Sequence, residues 1–195
     1  MSRSVLLTGG TGFIGSYIAR FLISSRDEKI YAPVRAKTVE EAESRLKNCW
    51  IEFPDLLENF DRIVPLPADL ALRKLGLQDE VYRELVEEID TIINSAGAVG
   101  MNSPYTELRE SNVDTVKNLI ELGEEIEFDH GLKRFSHLST AYVAGRREGP
   151  VKESNLSDSK GFFNDYEKSK YESECLVSNV ADELPVTIFR PGMVV

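Results

Sequence analysis

Six short apolar runs recur along this 195-residue chain, and longer stretches with helical spacing separate each from the next. The runs cover residues 4–8, 30–34, 63–66, 91–94, 135–138 and 186–189, and most are β-branched or aromatic. Runs of this kind read as buried strands. Between them, Phe13, Ile14, Tyr17, Ile18, Phe21 and Leu22 repeat at helical spacing, as do Ala42, Leu46 and Cys49 within residues 38–50. Further helices are predicted over 79–88, 107–122 and 165–181. Strands that alternate with helices specify a parallel sheet covered on both faces. The length suits one α/β domain, residues 1–195, and is short for two. Ligands of such sheets bind beyond the carboxyl ends of the strands, near the point where strand order reverses.

The first run leads directly into Gly9-Gly10-Thr11-Gly12-Phe13-Ile14-Gly15. In this pattern Gly9 permits a tight turn, Gly12 lets the backbone approach a pyrophosphate, and Gly15 allows close helix packing. The helix that starts here offers N–H donors and a partial positive charge. Thr11, Phe13 and Ile14 belong to the same candidate cofactor-binding turn. Strand, glycine turn and helix in this order predict a Rossmann-type doubly wound sheet that binds a dinucleotide.

The end of the second run selects between the two nicotinamide dinucleotides, because an acidic residue there binds the ribose diol and repels a 2′-phosphate. This chain has Arg35 and Lys37 instead, with no carboxylate until Glu40. A guanidinium fork suits a phosphate, with Lys37 as a second charge, so NADP(H) is expected over NAD(H). Asp69, followed by Leu70, stands after the third run, where it can accept from an adenine amino group or serve as a turn aspartate. After the fourth run, Asn94-Ser95-Ala96-Gly97 supplies small residues that leave room for cofactor. Asn112, in a helix it does not favour, is read as tying backbone groups of adjacent elements together.

Tyr166 and Lys170 stand four residues apart in a predicted helix, so they share one face. The ammonium can then approach both the phenol and a cofactor ribose. A phenol with a pKa near 10 is a poor proton shuttle at pH 7, and a nearby cation favours its ionised form. Thr140, at the end of the fifth run, is the third candidate, placed to hydrogen-bond a substrate carbonyl. The polar loop 145–161 is read as a mobile segment near the mouth of the site.

A net charge of −10 argues against a nucleic-acid-binding surface but not against an anionic cofactor. Cys49 and Cys175 form no CxxC pair, and each is expected to be a small buried or half-buried side chain. His130 and His137 lack a metal-ligand spacing, so no metal is expected and both are read as structural or surface residues. No apolar run is long enough to cross a bilayer and no N-terminal signal is visible, from which a soluble, cytoplasmic protein is expected.

Gly9, Gly12, Gly15, Asp69, Asn112, Thr140, Tyr166, Lys170 and Arg190-Pro191-Gly192 occur in the order found in extended short-chain dehydrogenases/reductases, which the chain resembles over its whole length. Within that superfamily it is similar to the thioester reductase and fatty acyl-CoA reductase group. Three stretches carry this closer resemblance. They are Val34-Arg35-Ala36 with Glu41-Ala42-Glu43-Ser44-Arg45-Leu46, Ala68-Asp69-Leu70-Ala71 with Leu75-Gly76-Leu77, and residues 137–145.

The resemblance implies a catalytic triad in which Tyr166 protonates a carbonyl oxygen as hydride arrives, Thr140 orients that oxygen, and Lys170 holds the ribose and lowers the phenol pKa. It also implies cofactor contacts from Arg190, Pro191 and Gly192. The substrate implied is a thioester on coenzyme A or a carrier protein, reduced to an aldehyde or an alcohol. Much of the substrate-binding region of such relatives follows Arg190-Pro191-Gly192. The expectation for residues 1–195 alone is therefore cofactor binding without turnover, an exposed apolar surface and self-association into a homo-oligomer. A sugar-nucleotide epimerase, dehydratase or hydroxysteroid-type dehydrogenase on the same scaffold, or a non-catalytic dinucleotide-binding module, remains open from the residues.

Overall fold

The strands alternate between two hydrophobic clusters, and this alternation fixes the layers. Val5 and Leu7 of the first strand face one cluster, whereas Leu6 between them faces the other. The computed structural model describes residues 4–154 and 156–194, so Met1, Ser2, Arg3, Asn155 and Val195 lie outside the described residues. Its strands are β1 Ser4–Thr8, β2 Ile30–Val34, β3 Ile63–Pro67, β4 Ile89–Asn94, β5 Arg134–Leu138 and β6 Val186–Phe189. They pair in parallel in the order β3-β2-β1-β4-β5-β6. This is the doubly wound Rossmann arrangement, with its switch point between β1 and β4.

Helices α1 Phe13–Ser25, α2 Val39–Cys49 and α3 Pro54–Glu58 cover one face around a core of Leu22, Leu46, Trp50 and Leu56. On the other face lie α4 Asp79–Glu88, α6 Thr115–Asp129 and α7 Asp165–Asn179, packed on Leu85, Leu119, Leu122 and Val177. A short α5, Tyr105–Arg109, runs through a π-helical turn, Glu110–Asp114, into α6. The predicted single helix 107–122 is therefore three segments that reach Asp129.

The α1 side of the sheet is open beyond β4. A hollow of about 810 Å³ separates α1 from β4, β5 and β6. Phe13 and Tyr17 of α1 and Phe189 of β6 are exposed around it. Cys49 is exposed at the end of α2 rather than buried, because it sits one position off the Leu46–Trp50 side of the turn, and Cys175 is half-buried. Both thiols are free. His130 bonds Asp129 and the Ile89 carbonyl, a structural role. Among the described residues, no helix is long and apolar enough to cross a membrane.

Candidate active site

At the switch point the glycine turn is held by its own stereochemistry. Gly9 has φ +69°, and a Cβ there would lie 2.7 Å from the Ser95 carbonyl and the Ala96 nitrogen. A Cβ on Gly15 would run into the Gly9 carbonyl, so α1 can approach the turn only with glycine at this position. From outside, the fully buried Trp50 donates its indole N–H to the Gly10 carbonyl at 2.8 Å. No side chain caps α1, and its first turn carries no acidic residue. Its leading N–H groups thus face the cleft with the positive end of the helix dipole.

Opposite the turn, Ser95 Oγ donates to the Thr8 carbonyl at 2.7 Å and the Ala96 N–H donates to Thr8 Oγ1 at 3.2 Å. Asn112 completes this wall from the π turn. Its amide oxygen accepts the Ala98 N–H at 2.8 Å, and its NH₂ donates to the Ala98 carbonyl at 3.1 Å and to Ser169 Oγ at 2.9 Å. The bonding role expected of Asn112 is met: it joins the loop after β4 to α7. A Cβ on Gly97 would come within 3.0 Å of the Asn112 oxygen and 3.9 Å of Lys170 Nζ, so glycine keeps this part of the cleft clear.

Thr140, Tyr166 and Lys170 converge on the same cleft, about 550 Å³, with Gly9, Gly12, Phe13, Ile14, Gly15, Ala96, Gly97, Pro191 and Gly192. Asn164 caps α7 by accepting the Glu167 N–H at 2.9 Å and fixes where the helix begins. Tyr166 follows in its first turn. Thr140 accepts the Tyr142 N–H at 3.3 Å and caps a 3₁₀ turn, Ala141–Ala144. Lys170 is buried, and its ammonium donates to the Leu138 carbonyl at 2.8 Å.

Burial depresses the Lys170 pKa to about 8, against the raising field of Glu174. The Tyr166 phenol is pushed up by burial, and the hydrogen bond with Thr140 works in the opposite direction. Lys170 was expected to lower this phenol. Here its ammonium is directed to Leu138, and Thr140 supplies the downward pull.

Other expected cofactor contacts lie elsewhere. Asn94 does not open onto the cleft: it is fully buried, accepts the Thr8 hydroxyl at 2.6 Å and donates to His137 Nδ1 at 3.1 Å. His137 is itself fully buried, and burial holds its pKa well below the ordinary range. Arg190 turns away from the cleft onto the buried Glu174.

Thr11 is exposed at the tip of the glycine turn. Arg35, Lys37, Asp69 and Leu70 stand beyond the cleft at the ends of β2 and β3. The Arg35 guanidinium is 3.8 Å from the Asp69 carboxylate, and Arg45 holds the Arg35 carbonyl at 2.5 Å. Asp69 also accepts the Ala71 N–H at 3.1 Å, so the turn role weighed for it is realised. Leu70 contributes its carbonyl to Asn118 at 2.8 Å. The Arg146 N–H donates to the Gly161 carbonyl at 3.0 Å, which joins the two ends of the polar segment 145–161.

Sequence reasoning missed Leu138, Ser139, Tyr142, Met101 and Met193, which also line the cleft. Leu138, Ser139 and Tyr142 flank Thr140, so the rule that sites gather at strand ends would have found them.

Uncapped α1, the glycine cradle and a buried cation beside the cleft fit a dinucleotide. Over residues 7–195 the chain matches the family described as Male sterility protein, an NAD-binding family. It is 34% identical, over 98% of its length, to an isonitrile lipopeptide synthase of Mycobacterium tuberculosis, of which it spans 8%. An L-2-aminoadipate reductase of Saccharomyces cerevisiae is 31% identical over 98% of the chain and is spanned to 15%. Among solved structures, the terminal R domain from the myxalamid biosynthetic pathway superposes with a TM-score of 0.87 at 32% identity. That likeness covers 97% of this chain and 49% of the R domain.

Proposed function

The chain belongs to the NAD-binding family described as Male sterility protein, and on that premise we propose that it forms the cofactor-binding part of an NADP(H)-dependent reductase of acyl thioesters. The observation that carries this reading is the convergence of Thr140, Tyr166 and Lys170 on the cleft floored by the glycine turn. Relatives named as reductases support the reaction class. One relative, an archaeal thiolation-reductase di-domain, supports a carrier-bound substrate.

In this reading the N–H groups of the first turn of α1 hold the pyrophosphate. Arg35, with Lys37, binds the 2′-phosphate, which competes with Asp69 for the guanidinium. Lys170, directed by Leu138, has donors left for ribose hydroxyls. Reduced nicotinamide supplies a hydride when bound. With substrate bound, Thr140 turns its one hydroxyl hydrogen from Tyr166 to the thioester carbonyl oxygen and orients it, and Tyr166 delivers a proton to that oxygen. Val99, Met101 and Met193, exposed at the rim of the cleft, offer apolar contact to the acyl group. The reaction is placed in the cytoplasm, where reduced cofactor and thioesters meet.

The test is consumption of NADPH, followed at 340 nm, by the protein that contains this chain when it is offered acyl-CoA or carrier-loaded acyl thioesters. Inertness toward every thioester tested would remove the substrate class while leaving the cofactor claim to be judged by binding.

A further inference from the structure

Glu174 stands one helical turn beyond Lys170 on α7 and is 1% exposed. A carboxylate so deep needs partners. One oxygen accepts from Ser139 Oγ, and Arg190 binds both oxygens through Nε at 2.9 and 3.1 Å and one again through Nη2. Ser139 closes β5 immediately before Thr140, and its N–H donates to the Phe189 carbonyl at 2.8 Å. Arg190 follows β6, and the next residue, Pro191, accepts the Ala141 N–H at 2.9 Å. Glu174 is thus the single side chain among these that joins the ends of β5 and β6 to the helix carrying Tyr166 and Lys170.

Around the Lys170 ammonium the ionisable groups are Glu174 and Tyr166 on its own helix, His137 on β5 and, behind Glu174, Arg190 at the end of β6. Asn112 of the π turn is uncharged. His137 is kept neutral by burial and by Lys170 itself, so it offers no counter-charge. Among the described residues, Glu174 is the group whose negative field raises the Lys170 pKa.

We propose that Glu174 is the positioning residue of this site: through Ser139 and Arg190 it holds the ends of β5 and β6, and with them Thr140, against the helix that carries Tyr166 and Lys170, and it sets a carboxylate one helical turn from the Lys170 side chain. The proposal rests on the reading of Lys170 as a catalytic and ribose-binding group, but its first test needs no cofactor. In the chain labelled with ¹³Cε-lysine, the Lys170 titration is followed by NMR for wild type, for Glu174→Gln, and for the pair Glu174→Met with Arg190→Met. The paired variant removes both buried charges and leaves a core that apolar side chains can fill.

The midpoint, which burial depresses to about 8, is expected to fall further in Glu174→Gln and to fall by less in the paired variant, because the more distant Arg190 cation is removed along with Glu174. NADPH affinity of Glu174→Gln should then drop several-fold at pH 8 and recover at pH 6, where Lys170 is charged in both proteins. A part that was merely structural would not produce recovery with pH. An unmoved midpoint in a folded variant overturns the proposal, and so does failure of both variants to fold, which would make the network a requirement of folding alone. Wild-type protein that binds no NADPH would sink the cofactor reading, with the titration still deciding the role of Glu174.

Discussion

The Lys170 ammonium donates to the Leu138 carbonyl at 2.8 Å, which anchors the buried cation to the strand that delivers Thr140 two residues later. Burying this charge has a consequence for stability. The unfolded chain, with lysine near 10.4, binds more protons than the folded chain between about pH 8 and 10.5, because Lys170 is depressed to about 8. Stability from this group therefore rises with pH through that window. Urea unfolding of wild type and Lys170→Met should show a difference that shifts toward wild type by on the order of 3 kcal/mol between pH 7 and 10.5. Parallel stability curves would show that Lys170 titrates normally.

Tyr166→Phe deletes the proposed proton donor and little of the cofactor surface. Turnover by the protein that contains this chain should fall by about 100-fold or more. NADPH affinity should stay within about threefold of wild type. Near-normal turnover would overturn the role given to the phenol.

How far the sequence disclosed this arrangement depends on what kind of signal each part leaves. Strands β1 and β2 are buried on both faces, so they appear as uninterrupted apolar runs, and their bounds were legible to the residue. The end of α6 was not. Gly123 reads as a helix stop, yet it lies inside α6, where a Cβ would press on Leu184 at 3.3 Å and Phe135 at 3.4 Å. The π turn around Asn112 adds a residue to the helix, and its trace in the sequence is a single five-residue step from Leu108 to Val113 in an otherwise three-and-four spacing. Tyr166 and Lys170 stood out because their four-residue spacing is local, and Thr140 because it follows a strand run; the cleft brings the three together. Glu174 did not, because its partners Ser139 and Arg190 lie far along the chain and only the fold brings them to it.

Arg35→Asp would replace the proposed charge-assisted phosphate contact with repulsion and also break the 3.8 Å pair with Asp69. Preference should move from NADPH toward NADH by on the order of 2 to 4 kcal/mol. The ratio of the two dissociation constants measures it, and an unaltered ratio would mean that the 2′-phosphate is held elsewhere.

Gly15→Ala drives a methyl group into the Gly9 carbonyl, backbone against backbone. Neither partner can swing aside, so the cost should be about 3 kcal/mol or more, at the upper end for overpacking. Chemical denaturation with a parallel cofactor titration checks this, and wild-type stability would show that α1 shifts without penalty.

The open apolar face between α1 and β6 carries Tyr17 and Phe189, 49% and 46% exposed. Apolar area of this kind drives association. Sedimentation velocity should find concentration-dependent self-association of the 195-residue chain that Tyr17→Glu weakens. A monomer at every concentration would show that the face is tolerated in water.

Calorimetric titration of these 195 residues with NADPH tests the central claim most directly, since the glycine turn, Arg35 and Lys170 are all present. The account predicts saturable one-to-one binding that Tyr166→Phe preserves and Lys170→Met weakens by about tenfold. Heats no larger than dilution, from protein shown to be folded, would contradict it.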